Sequence, residues 1–168
     1  MIPRILLIYC LLGTQLYSQN AQLVIPKGHA DAVTSLSITA DGKYLISGSR
    51  DRTARLWDLK GNEIIYYPTQ EEVQSAAISS DGKWVSIGST DGQVRLLKTT
   101  GEVLKTFSHH RNFVNAVAFS RQGNLIASAS DDKTATVIDY VNNKTVKISH
   151  SGAVRDVSFD DQGKQFLT

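Results

Sequence analysis

Apolar residues along this chain fall in short alternating runs between polar turns, and the runs recur. Val33-Thr34-Ser35-Leu36-Ser37-Ile38 is matched by Val73-Gln74-Ser75-Ala76-Ala77-Ile78, by Val114-Asn115-Ala116-Val117-Ala118-Phe119 and by Val154-Arg155-Asp156-Val157-Ser158-Phe159. Successive copies begin 40, 41 and 40 residues apart. A turn pair follows each in step, Asp41-Gly42, Asp81-Gly82, Gln122-Gly123 and Gln162-Gly163, and a second turn aspartate recurs at Asp51, Asp91 and Asp132. Alternation of this kind suits strands, and no stretch keeps the i, i+3, i+4, i+7 spacing of an amphipathic helix through three turns. Glycine at the turns supplies the positive φ that a hairpin needs. Each unit therefore reads as four short antiparallel strands, in the first unit over about residues 33–38, 43–47, 53–58 and 63–67.

One four-stranded sheet of this size cannot hide both of its faces. Copies stacked side by side around an axis cover each other and leave only short edges. The pattern predicts an all-β chain whose repeat of about 40 residues is a propeller blade of four antiparallel strands.

Gly28-His29 opens the first unit, and Ser47-Gly48-Ser49-Arg50-Asp51-Arg52-Thr53-Ala54-Arg55-Leu56-Trp57-Asp58 closes its third strand. This resembles the WD-repeat β-propeller family, whose units carry a Gly-His opening and a Trp-Asp ending, and the match runs over residues 22–168. The resemblance implies an incomplete ring of about three and a half blades: a closing outer strand at 19–28, blades at 29–68, 69–109 and 110–149, and a partial fourth at 150–168. Phe166-Leu167-Thr168 aligns with Leu45-Ile46-Ser47, inside a second strand. Family propellers usually carry about seven blades. The reading is thus of a fragment, or of an arc closed by another chain, with exposed edges as an aggregation hazard. Leu23 to Ile25 matches the outermost strand that would close a complete ring.

The family's blades hold a hydrogen-bonded set of His, Ser or Thr, Asp and Trp, which the resemblance places at His29, Ser47, Asp51 and Trp57. The residue types suit the task, since a carboxylate accepts, a hydroxyl bridges and an indole N–H donates. The third unit keeps His110, Ser128 and Asp132 but has Ile138 for Trp. The fourth has His150. The second retains only Asp91, with Thr69, Ile87 and Leu97 at the other places, and is expected to rely on apolar packing alone. The first blade is expected to have the best-fixed inner strands. A Ser-His-Asp catalytic triad is the alternative reading of these residues, set aside because their spacing recurs with the blades and Trp57 completes the set.

Composition narrows the function further. Eighteen basic and 16 acidic residues leave a net charge of +2, which gives no electrostatic reason to expect nucleic acid. Ile5 to Leu12 is apolar apart from Tyr9, follows Arg4 and precedes a polar stretch from Gly13 to Gln19. It is too short to span a bilayer, which takes roughly 20 apolar residues. It reads as a signal peptide, residues 1–18, cut after Ser18, in preference to an uncleaved anchor or an N-terminal strand. The chain is then exported, periplasmic or extracellular, with no membrane span after signal removal. Cys10, the one cysteine, leaves with the signal and lacks the small preceding residues of a lipoprotein site, so no thiol chemistry remains.

No G-x-S-x-G, H-E-x-x-H, P-loop or dinucleotide fingerprint occurs, so no catalytic residue, metal or cofactor is assigned. His109-His110 lacks a carboxylate at ligand spacing, Asp131-Asp132 lacks further oxygen ligands for calcium, and the Asn143-Lys144-Thr145 sequon reads as a turn. What remains is an interaction scaffold for a protein or peptide partner, bound at the loops on the propeller rim. The partner-binding candidates are Arg50, Arg52, Thr90, Arg111, Asn112 and Phe113, with Arg50 and Arg111 flanking the aromatic ring. A catalytic domain beyond residue 168, protease-like for example, would make this segment its sensor or docking module.

Overall fold

The computed structural model describes residues 28–160, 162–163 and 165–168. The signal peptide, its cleavage site and the closing strand around Leu23 to Ile25 lie outside the described residues. Among those described there are strands and turns and no α-helix. Three four-stranded antiparallel sheets follow one another, each a meander in chain order. The first is β1 (Val33–Ile38), β2 (Tyr44–Ser49), β3 (Thr53–Asp58) and β4 (Glu63–Pro68). The second is β5 (Val73–Ile78), β6 (Trp84–Ser89), β7 (Val94–Lys98) and β8 (Val103–Phe107). The third is β9 (Val114–Phe119), β10 (Leu125–Ser130), β11 (Thr134–Asp139) and β12 (Lys144–Ser149), and a pair β13 (Ser158–Phe159) and β14 (Phe166–Leu167) begins a fourth. Strand β2 starts one residue later than the sequence pattern places it and runs two residues further.

The turns repeat in conformation as well as in sequence. Gly42, Gly82, Gly123 and Gly163 have φ between 64° and 73° in the first turn of their units. At the second turn the same left-handed backbone falls on Arg52, Gly92 and Lys133. A non-glycine residue pays for that conformation. At Gly92 no side chain can be accommodated, because a Cβ would lie 2.8 Å from the His110 carbonyl oxygen.

The sheets stand face to face with their first strands innermost. Strand β5 lies against β1 and β2, β9 lies against β5 and β6, and β13 sits beside β9. The core is therefore a succession of layers between sheets rather than one central mass. Ile46, Leu56 and Tyr67 of the first sheet meet Val73, Ile87 and Leu97 of the second. Val94, Leu96 and Phe107 of the second meet Val114, Val117, Ile126 and Ile138 of the third. Burial of each such side chain stabilises the fold by roughly 1.5–3 kcal/mol relative to exposure.

Polar ties reinforce these layers. A register shift disturbs the pairing of each first strand near its start, at Thr34, Gln74 and Asn115. The hydroxyl of Thr34 donates to the Val73 carbonyl at 2.7 Å, and the Asn115 amide to the Val154 carbonyl at 2.8 Å. One residue on, Ser35 Oγ accepts the Ala76 amide at 2.8 Å and Ser75 Oγ the Val117 amide at 3.1 Å. The bulge thus hands one sheet's inner strand to the next.

The first sheet has one uncovered face among the described residues. Val33, Leu36 and Ile38 are 51%, 65% and 54% exposed, against 0%, 3% and 5% for their equivalents Val73, Ala76 and Ile78. This exposure weighs against the expectation that the first blade's inner strands are the best fixed, which amide exchange would test. Its hydrogen-bond set is the fullest, but among the described residues no strand covers the outer face of β1, and strand protection depends on burial as well as on hydrogen bonds.

Candidate functional site

Two kinds of site can be built on this scaffold: polar sets inside the sheets and a rim of loops at one end. In the first sheet His29 Nδ1 lies 2.9 Å from Asp51 Oδ2, His29 Nε2 lies 2.6 Å from Ser47 Oγ, and Trp57 Nε1 donates to Ser47 Oγ at 2.8 Å. A carboxylate only accepts, so Nδ1 carries the proton, Nε2 accepts from the Ser47 hydroxyl, and that oxygen accepts from the indole. The imidazole and indole rings meet edge-on at 6.2 Å. In the third sheet His110 Nε2 lies 2.8 Å from Ser128 Oγ, and Nδ1 lies 3.2 Å from Asp132 Oδ2. Ile138, at the place of Trp57, joins the apolar layer between the second and third sheets.

A fifth member went unread in the sequence. Thr53 Oγ1 donates to Asp51 Oδ1 at 2.6 Å, and Thr134 does the same for Asp132 at 2.5 Å. The signal was present: a threonine stands two residues after the turn aspartate in both units with a histidine, and Gln93 replaces it where the histidine is missing.

Burial works to raise the Asp51 carboxyl pKa, but the Thr53 hydroxyl, the Ala30 amide and His29 outweigh it and hold it at about 2. Burial likewise opposes ionisation of Asp132, yet Thr134, the Arg111 amide and His110 hold it far below the usual carboxylate range. Burial lowers the pKa of His110 against the pull of Asp132. The third-sheet pair is therefore a neutral imidazole donating to a carboxylate, not an ion pair.

The second sheet does not rely on apolar packing alone, which corrects the sequence reading. Ile87 and Leu97 do enter the core. Beside them, however, Arg95 forks over the retained aspartate: its guanidinium donates to Asp91 Oδ2 at 2.5 Å, to Ser89 Oγ at 2.7 Å and to Gln93 Oε1 at 2.9 Å. An ion pair with bidentate capacity takes over the role that imidazole and hydroxyl play next door. Arg55 occupies the same place in the first sheet, where its short bond goes to Glu63 at 2.7 Å and its contact with Asp51 is a looser 3.7 Å.

At the rim, the loops leading into each sheet and those joining its second and third strands run together. Arg50, Thr90 and Asp131 each donate their amide to a carbonyl of the loop before the first strand, at Ala32, Glu72 and Phe113. Arg111, Asn112 and Phe113 are exposed, and the Phe113 ring is 46% accessible. Its loop is held from both ends, by the Arg111 amide on Asp132 Oδ2 at 3.0 Å and by the Asp131 amide on the Phe113 carbonyl at 3.1 Å. Arg50 does not serve as a flank for Phe113: its Nε lies 3.9 Å from Glu72 Oε2, the residue that holds Phe113's place in the second sheet. In that repeat the residue equivalent to Arg50 beside Phe113 is Thr90. Arg52 is exposed, with its carbonyl accepting from Thr69 Oγ1 at 2.9 Å. No group of three or more metal-ligating side chains occurs among the described residues. Among those residues, no helix is long and apolar enough to cross a membrane.

The family model for the WD domain, G-beta repeat, matches residues 20–58, 63–97 and 101–139, more than half the chain. The chain belongs to the WD40 family. Each match ends at the third strand of a sheet, so the WD40 sequence repeat is offset from the sheet by one strand. Rat (Rattus norvegicus) apoptotic protease-activating factor 1 is 34% identical over 114 residues, which is 67% of this chain and 9% of that protein. Human (Homo sapiens) WD repeat-containing protein 18 is 51% identical over 39 residues, 23% of this chain and 9% of that protein. Among solved structures, that of U3-55K superposes with a TM-score of 0.73 at 27% identity, covering 77% of this chain and 43% of that one. The crystal structure of RRP9 WD40 repeats superposes with a TM-score of 0.72, also at 27% identity, covering 77% and 42%. The chain thus spans about a tenth of the length of these curated relatives and less than half of the solved propellers.

Proposed function

We propose that this segment is an exported, non-catalytic WD40 scaffold that binds a protein or peptide partner through the rim around Phe113. The carrying observation is that ring, 46% exposed on a loop tied down at both ends. Its equivalents in the other units are Ala32, Glu72 and Ala153, so the fold does not require an aromatic residue there. A rigid, exposed aromatic beside Arg111 and Asn112 is the chemistry of binding hot spots. The non-catalytic reading rests on the serines. Ser47 is buried, gives its proton to His29 and receives one from Trp57. The serine–histidine half of the arrangement recurs at Ser128 and His110, whose side chain is fully buried. Against nucleic acid stand the pairings of the arginines with Asp51, Glu63, Asp91 and Asp131. Export rests on residues 1–18, and a mature N-terminus at Gln19 in protein recovered outside the cytoplasm is its test.

Immobilised wild-type and Phe113→Ala chains, challenged with extracellular protein from the source cells, test the rim. A partner held by the wild type and released at least ~5-fold more readily by the variant supports it, in line with hot-spot losses above about 1 kcal/mol. Equal capture by both chains overturns it.

A further inference from the structure

The loop that carries Phe113 is clamped between two turns. On one side the β10–β11 turn holds it, through Arg111 and Phe113 as above and through Ser130 Oγ, which donates to the Asn112 carbonyl at 3.2 Å. On the other side the β6–β7 turn comes close. A Cβ on Gly92 would lie 2.8 Å from the His110 carbonyl oxygen and 3.1 Å from that of Asn112. Arg52 and Lys133 carry side chains in the same left-handed backbone at the other two second turns. The loop is thus fixed before any partner arrives. The same loops separate charge. Asp131 is taken by Arg155 at 2.9 Å and by the Asn115 amide at 2.7 Å. Asp132 is taken by Thr134, the Arg111 amide and His110, with Lys147 at 3.7 Å. The Arg111 guanidinium and the Lys133 ammonium are exposed and have no carboxylate partner among the described residues. Lys133 directly follows Asp132, so both cations stand on the clamped pair of loops. Toward the second sheet the sign reverses: Glu71 is exposed with no cation beside it among the described residues, and Glu72 lies 3.9 Å from Arg50.

We propose that the rim takes an acidic peptide segment, with an apolar side chain on the Phe113 ring and a neighbouring carboxylate held by Arg111 and Lys133. This rests on the rim reading above and names the chemistry of its partner. Two cations without counter-charges attract a carboxylate and have no existing ion pair to break first. The clamped loop has already lost the conformational freedom that binding would otherwise cost. Glu71 repels an acid on the second-sheet side, so the segment's carboxylate lies toward Lys133. Arg52 is also an exposed cation without a carboxylate, but it stands on the first sheet, with the second sheet between it and Phe113.

Titration of the ¹⁵N-labelled full chain with a capped, glycine-flanked peptide holding a leucine between two aspartates tests this, read by shifts at the amides of Arg111, Phe113 and Lys133. The expected result is saturable binding with Kd on the order of 1 mM. The same peptide with asparagines for aspartates should bind at least ~3-fold more weakly, and one with lysines more weakly still. Arg111→Gln and Lys133→Asn keep the backbone bonds of the loop. Each should weaken the aspartate peptide roughly 3-fold and leave the asparagine peptide unchanged. Raising salt from about 50 to about 500 mM should remove the aspartate peptide's advantage, because exposed charges are screened. Phe113→Ala should weaken both peptides alike. Equal affinity for the aspartate and asparagine peptides, with both weakened by Phe113→Ala, overturns the acidic preference and leaves the aromatic rim standing. Shifts at these amides that Phe113→Ala leaves unchanged overturn the rim reading and the proposal with it. No saturable shift up to about 10 mM aspartate peptide, or tighter binding of the lysine peptide, overturns the proposal alone.

Discussion

At the scale of residues, the recurrent sets show how WD40 signature positions are exchanged as groups. A buried imidazole needs an acceptor for its N–H and a donor for its other nitrogen, so His29 and His110 each come with Asp, Ser and Thr. Loss of the histidine at Thr69 leaves a hydroxyl and a threonine with nothing to bond, and both are replaced together, by Ile87 and Gln93. The protonation of these sets makes them acid-sensitive. The folded pKa of His110 lies below its ordinary 6.5, so between pH 6.5 and that lower value the unfolded chain binds more protons and stability falls as pH falls. The aspartates act later: Asp51 keeps its contribution above its ordinary 3.8 and loses it as pH drops toward about 2. Denaturant midpoints measured from pH 8 to pH 5 are expected to decline in the wild type. The decline should be markedly smaller in His110→Gln, which cannot take up the proton.

Among elements, close approach between sheets fixes what each strand can carry. A Cβ on Gly88 would stand 2.6 Å from Val114 Cγ1 and 3.0 Å from Val117 Cγ1. On Gly48 it would stand 2.7 Å from both Ser35 Oγ and Val73 Cγ1. These glycines are here for space and not for backbone freedom, since neither has positive φ. Gly88→Ala is expected to cost about 1–3 kcal/mol in equilibrium unfolding by overpacking the layer between the second and third sheets. Ala129 occupies the equivalent place in the third sheet, where it is buried beside Val154. The spacing requirement therefore belongs to each pair of facing sheets, not to the repeat as a rule.

Across the whole molecule, each sheet is stabilised by the one beside it, as in other repeat architectures. The second sheet is covered on both faces, and the first has Val33, Leu36 and Ile38 open on one side. Amide hydrogen exchange should accordingly be slower over residues 73–98 than over 33–58. Equal or reversed protection would mean that the polar set of the first sheet outweighs the exposure of Val33, Leu36 and Ile38. Much of this architecture is legible in the sequence. Val33, Val73, Val114 and Val154 mark the inner strands, the turn glycines mark the hairpins, and Trp57-Asp58 marks the family. The candidate rim is legible only as loop positions. That Arg50 faces Glu72 instead of Phe113 depends on how neighbouring sheets are set beside one another.

The sequence by itself determined the strands, their order, the repeat and the polar sets, because alternation, turn chemistry and hydrogen-bond valence act over a few residues or within one sheet. Only the tertiary structure decided that Arg95 takes over the set in the second sheet, and that Gly48 and Gly88 sit where a neighbour's valine leaves no room. Those outcomes depend on the distance and angle between sheets, and on choices such as Arg55 for Glu63 against Arg95 for Asp91. Identical spacing along the chain leaves such choices open.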